Sequence, residues 1–201
     1  TPVPDLRTPS QAETKLLASA LSLFSEKGYE GTSIREIIEG AGVTRPVLYY
    51  YFENKEDLFR RLVEMKFAEF TAEIKEVLNR LDSCRERLKA VMGRAFLLAE
   101  DNPEAIRLIL QVLFAAPLQG PPMDRNMLLH QRFRLLELIM ADGLANGELS
   151  GGDAQSLALV FMGIMDMHVM AKSNRPQTRL TRELAEGLVE LFLCGAAFDE
   201  N

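Results

Sequence analysis

Residues 42–58 read GVTRPVLYYYFENKEDL, and this stretch decides the fold. It opens on a tight turn, Ala41-Gly42-Val43. Thr44 stands as a helix N-cap, and Pro46 falls in the first turn, where its missing N–H is not needed. Leu48 and Phe52, four apart, can anchor the short helix to a core. Tyr49, Tyr50 and Tyr51 load the same helix with phenolic hydroxyls, each of which needs a partner when covered. A phosphate backbone supplies such partners. Asn54-Lys55-Glu56 then starts another helix.

The preceding segment fits the same plan. Residues 10–27 place Leu17, Ala20, Leu21 and Phe24 at helical spacing, and Gly28 is expected as a left-handed cap. Thr32 and Ser33 can cap a second helix carrying Ile34, Ile37 and Ile38. Glu36, three after Ser33, completes a capping box. Two helices, a glycine turn and a short third helix make a helix-turn-helix.

The run ALSLFSEKGYEGTSIREIIEGAGVTRPVLYYYFENKEDLF, residues 20–59, resembles the TetR family of transcriptional regulators. The likeness rests on Phe24, Gly28 and Tyr29 closing the first helix and on Thr32-Ser33-Ile34 opening the second. It continues through the Ala-Gly-Val-Thr turn and Leu-Tyr-Tyr-Tyr-Phe before Asn-Lys-Glu. It lies within the first third of the chain, and the matches hold fixed spacing. The resemblance implies an operator-binding homodimer, most often a repressor. It implies DNA contacts at Thr32, Ser33, Arg35, Thr44, Arg45, Pro46, Val47, Tyr49, Tyr50, Tyr51 and Lys55. Tyr51 replaces a frequent His, and Pro46 and Val47 replace the commoner Gly and Thr or Ser, so no operator sequence is inherited. Among these, Arg45 in the first turn of the third helix suits guanine in the major groove, and a Val47 methyl could meet a thymine methyl. Lys55 is expected on phosphate, since a cation is unfavourable near a helix N-terminus.

Charge argues mildly the other way. The chain is net −6, and residues 1–60 hold seven Lys/Arg against nine Asp/Glu. The basic footprint must therefore come from distribution, with Arg35, Arg45 and Lys55 around the third helix. Non-specific affinity, which comes mainly from phosphate neutralisation, should be weak.

Beyond residue 53 the periodicity stays helical. Phe59, Val63, Phe67, Phe70, Ile74, Val77 and Leu81 mark one long amphipathic helix. Further helices are expected over 84–100, from 103 to 114, over 124–146, from 153 to about 172, and from 181 to 197. The stretch 116–122, APLQGPP, is a loop. The expected fold is therefore all-α, about nine helices: a head over residues 1–53 and a ligand-binding and dimerisation body over residues 54–201. At 47% hydrophobic, 201 residues can bury a sizeable core.

The penultimate helix, LALVFMGIMDMHVMA over 157–171, is apolar on nearly every face and must be covered all round. At about 15 residues it is too short for a bilayer. The last helix has a broad apolar face (Leu184, Leu188, Leu191, Phe192) with small residues Gly187, Gly195 and Ala196. Two such helices per subunit would make a four-helix homodimer interface.

The body is rich in Met and Phe, which points to an apolar or aromatic small-molecule effector in a pocket. Candidate lining residues are Phe70, Ile74, Met92, Phe96, Leu110, Phe114, Phe133 and Met165, with His168 as the orienting polar group. Residues 117–122 would lie at the mouth. No catalytic or phosphate-binding motif is present, and two histidines exclude a His-rich metal centre, so neither enzyme activity nor a cofactor is expected. Cys84 and Cys194 form no spacing motif and read as free thiols of a reducing compartment. With no signal peptide visible, the expected location is the cytoplasm. The competing reading is a dimeric all-helical ligand-binding or interaction protein without DNA function; the tyrosines and Arg45 weigh against it.

Overall fold

The computed structural model describes residues 10–114 and 125–196, and these form nine α-helices with no strand among them. They are α1 (Gln11–Lys27), α2 (Ile34–Ala41), α3 (Arg45–Tyr51), α4 (Lys55–Leu78), α5 (Cys84–Asp101), α6 (Pro103–Phe114), α7 (Arg125–Ala145), α8 (Ala154–Asn174) and α9 (Arg182–Ala196). The all-α class and the helix order match the sequence reading. The loop 116–122 lies outside the described residues.

Helix ends follow from capping chemistry. Ser10 Oγ accepts from the Glu13 N–H to start α1. Gly28 ends that helix at φ 74, ψ 175, a positive φ with extended ψ rather than the left-handed helical cap expected; that region is essentially closed to other residues. Ser33 alone caps α2, in a full capping box with Glu36. Gly42 supplies the left-handed turn at φ 64, ψ 36. Thr44 holds N-cap dihedrals for α3, yet its hydroxyl makes no capping bond. At the start of α4, Asn54 Oδ1 accepts from the Asp57 N–H (2.8 Å) and the Asp57 carboxylate accepts from the Glu53 N–H (3.2 Å).

Two apolar clusters form. One joins Leu16, Ala20 and Phe24 of α1, Ile37 of α2 and Leu48 and Phe52 of α3 to the first half of α4 (Leu58, Leu62, Phe67) and to α6 (Leu108, Ile109, Leu113). The other gathers α5, α7, α8 and α9 around Leu88, Met92, Phe96, Met140, Phe161 and Val189. The head's core is completed by α4 and α6.

The α8 helix runs 21 residues and is, by length and composition alone, long and apolar enough to cross a membrane, so the length argument fails. Leu157, Ala158, Phe161, Met165 and Val169 face the body core, and Lys172 at its end holds Glu100 (2.8 Å). Leu159, Val160 and Met167 on its other side are exposed, as is Leu191 of α9.

Neither cysteine is in a disulfide. Cys84 is buried, and burial pushes its thiol up to about 11; Cys194 is exposed.

Candidate nucleic-acid interface and effector cavity

Helix α3 is held from below and open above. Leu48 and Phe52 are buried, whereas Thr44, Arg45, Pro46, Tyr49 and Tyr50 are exposed. Tyr50 is 81% exposed, which presents both its ring and its hydroxyl on the outer face of α3. Arg45 makes no ion pair among the described residues. The unused Thr44 hydroxyl sits beside it. Val47 is half-buried.

On α2, Ser33 is exposed, although its hydroxyl is taken up with Glu36, and Arg35 pairs with Glu39 across one turn (2.7 Å). The Lys27 ammonium donates to Glu36 at 2.7 Å and, with two hydrogen bonds from Ser33, holds that carboxyl well down, at about 2. Glu13 meets Arg61 at 3.5 Å.

Three of the expected contact residues are engaged within the head. Thr32 is 2% exposed, and its hydroxyl donates to the carbonyls of Leu23 (3.2 Å) and Gly28 (2.8 Å), so its side chain cannot reach DNA. Lys55 is turned inward: its Nζ donates to the Tyr29 carbonyl (2.9 Å) and the Thr32 carbonyl (3.0 Å) and lies 4.1 Å from the centroid of the Tyr29 ring. Those carbonyls answer the unfavourable charge at the α4 N-terminus, and at most one of its three N–H bonds is left for phosphate. The Tyr51 hydroxyl accepts from Ser10 Oγ at 2.6 Å, pinning α3 to the start of α1.

In the body, a cavity of about 40 Å³ lies between α4, α5, α6, α7 and α8. Its walls include Phe67, Phe70, Leu110, Leu113, Arg132, Met165 and Asp166. A second, of about 20 Å³, is bordered by Phe70, Ile74, Val91, Arg132, Leu136 and Met165. The two share Phe70, Arg132 and Met165. By this measure a water needs roughly 10–15 Å³, so any ligand larger than a few waters must move these walls.

Of the expected lining, Phe70, Ile74, Leu110 and Met165 meet at the cavities. Met92 and Phe96 are instead in solid core, and Phe133 packs against that core. Phe114 is 49% exposed at the end of α6 and lines neither cavity. His168 is not the polar group: its Nδ1 is 2.7 Å from the Ile164 carbonyl of its own helix, and its ring packs near Phe96. The charged groups at the cavities are an ion pair, Arg132 on α7 with Asp166 on α8, whose side chains are only 11% and 15% exposed and whose pairing the sequence did not show. A signal existed. Arg132 stands midway between Leu128 and Leu136, both buried, so a charge occupies the apolar stripe of its helix.

This geometry, a solvent-facing third helix braced by two others, defines the chain as a helix-turn-helix DNA-binding protein. Residues 16–62 match the family model described as bacterial regulatory proteins, tetR family. The transcriptional regulator RutR of Escherichia coli is 32% identical over 78% of this chain and 72% of its own length. A fatty acid metabolism regulator protein of Bacillus subtilis is 26% identical over 90% of this chain and 93% of its own. The crystal structure of the regulator FadR from Bacillus subtilis in complex with stearoyl-CoA superposes with a TM-score of 0.76 at 24% identity, over 90% of this chain and 98% of that one, a likeness of fold. The chain belongs to the TetR family of transcriptional regulators. It is a ligand-responsive DNA-binding regulator, and its relatives are regulators rather than enzymes.

Proposed function

We propose that this protein is a cytoplasmic homodimeric repressor, with residues 1–53 reading an operator and residues 54–201 binding an acyl-type effector and dimerising. The observation that carries the coupling is that Phe67, Ile109 and Leu113 belong at once to the cavity wall and to the head's core. Widening the cavity must therefore shift residues on which α1 rests, and α2 packs on α1. Polar ties reinforce the link: Gln111 of α6 donates to the Ser25 carbonyl (3.1 Å), and Ser22 donates to Glu104 (3.0 Å). A ligand that needs a wider cavity binds best to heads displaced from the operator register. That register asks for recognition helices roughly 34–36 Å apart.

On DNA, Arg45, Val47 and Tyr50 project from α3 towards bases, while Ser33, Arg35, Thr44, Pro46 and Tyr49 hold the backbone. Thr32, Tyr51 and Lys55 brace the head. The exposed apolar side of α8, with Leu191 of α9, is the surface for a second copy, which a two-fold operator requires. A mostly apolar lining with one charged pair suits an acyl chain, and the stearoyl-CoA bound to Bacillus subtilis FadR and the name of the Bacillus subtilis fatty acid metabolism regulator protein support that class.

The test is a thermal-shift screen of acyl compounds, followed by operator competition with each hit. Hits should raise the melting temperature and weaken operator binding. A set of stabilising acyl compounds that all leave operator affinity unchanged would end the effector reading.

A further inference from the structure

The Arg132–Asp166 pair is a charged element in walls that are otherwise uncharged and mostly apolar, with Thr71 and Gln131 as the other polar side chains, and neither partner is used by the DNA-binding head. We propose that it is a grip for an internal, uncharged carbonyl, and that it selects an ester or thioester of an acyl chain over the free acid. The inference rests on the acyl-effector reading above.

Two features of the site lead there. The first is charge. Arg132 donates from Nη2 to Asp166, so the pair is already neutral within a wall of Phe, Leu, Ile and Met. Arg carries five N–H donors in a fixed fork, and its only ion-pair partner among the described residues is Asp166. A neutral carbonyl oxygen can take a free donor without disturbing that balance. A carboxylate would bring a second negative charge to one guanidinium. It would have to compete with Asp166 and leave a mostly buried acid unpaired, which is strongly unfavourable.

The second is position. Arg132 does not close the end of a blind tunnel. It borders both cavities, with Phe67, Leu110 and Leu113 on one side and Ile74, Val91 and Leu136 on the other. A group gripped there has mostly apolar wall on both sides. An ester or thioester carbonyl carries substituents on both sides; a terminal carboxylate has nothing to place beyond its oxygens. Phe70 and Met165, which border both cavities, are the side chains that must turn to join them. Met does so readily.

The experiment measures binding of laurate, ethyl laurate and lauroyl-CoA to the full-length protein and two variants, by calorimetry at one pH and salt. The wild type should bind the ester and the thioester at least about tenfold more tightly than laurate, the scale of one hydrogen bond to a charged group. Asp166→Asn keeps an acceptor on Arg132 but leaves the site positive, so laurate should gain about tenfold relative to ethyl laurate. Arg132→Met combined with Asp166→Leu replaces the pair by apolar groups and should fold, since such replacements are often neutral or stabilising. In it the preference for the esters over laurate should shrink, while an apolar chain still binds. Laurate binding the wild type as tightly as ethyl laurate, or an unchanged ratio in Asp166→Asn, overturns the grip and leaves the acyl reading standing. If none of the three binds the wild type, both fall.

Discussion

Removing the Lys55 ammonium should loosen the head without touching its phosphate contacts. In Lys55→Met the stem keeps its length and its packing on the Tyr29 ring, but the carbonyls of Tyr29 and Thr32 lose their donors at 2.9 and 3.0 Å. Hydrogen bonds to a charged group contribute about 1.5–3 kcal/mol each. The cation over the Tyr29 ring adds about 0.5–1 kcal/mol at a half-exposed site. Against this stand the entropy of ordering a lysine, up to about 2 kcal/mol, and the return of those carbonyls to water at the rim of the loop. A net loss of about 2 kcal/mol remains, which lowers the melting temperature by about 4–8 °C for a chain of this size. The assay is thermal unfolding, paired with operator binding across a salt series. The slope of log affinity against log salt should be unchanged. A variant with wild-type melting and a slope shallower by about 0.9 would show that Lys55 faces phosphate, and the inward geometry would be refuted.

Arg45→Ala should cost about 1–3 kcal/mol on a selected operator and relax one base position, with much less effect on scrambled DNA; equal losses on both would make Arg45 a backbone contact. Leu159→Asp or Leu191→Asp should yield monomers with no operator binding in sedimentation and mobility assays, because these side chains are exposed on α8 and α9, whereas Leu188 is partly buried against the body core. Two-fold particles with intact binding would put the interface elsewhere. Glu36, held at about 2 mainly by Lys27 and then by Ser33, contributes stability that is present above its ordinary value of 4.5 and fades as pH falls towards 2. The melting gap between wild type and Glu36→Gln should therefore narrow from about pH 6 to about pH 3; a constant gap counts against the linkage.

Local chemistry made the head legible from residues alone. Ser33 and Glu36 box a helix start, Gly42 takes a left-handed turn, and Leu48 and Phe52 face inward at a spacing of four; each depends on neighbours within a few residues. The same holds for the helical periodicity of the body and for the two-sided apolarity of α8. What needed the tertiary structure was where long side chains go. Lys55 lies 26 residues from Tyr29 and Tyr51 lies 41 from Ser10, and both contacts arise only when loops and helix starts converge. Arg132 and Asp166 are separated by 34 residues, and nothing in the sequence says that they meet. Only the packing of α7 on α8 closes them into a pair. It sets that pair in an apolar wall and leaves His168 bonded to its own helix. Periodicity says which face of a helix is buried; it carries no information on which buried faces meet, and a pocket is made of faces that meet.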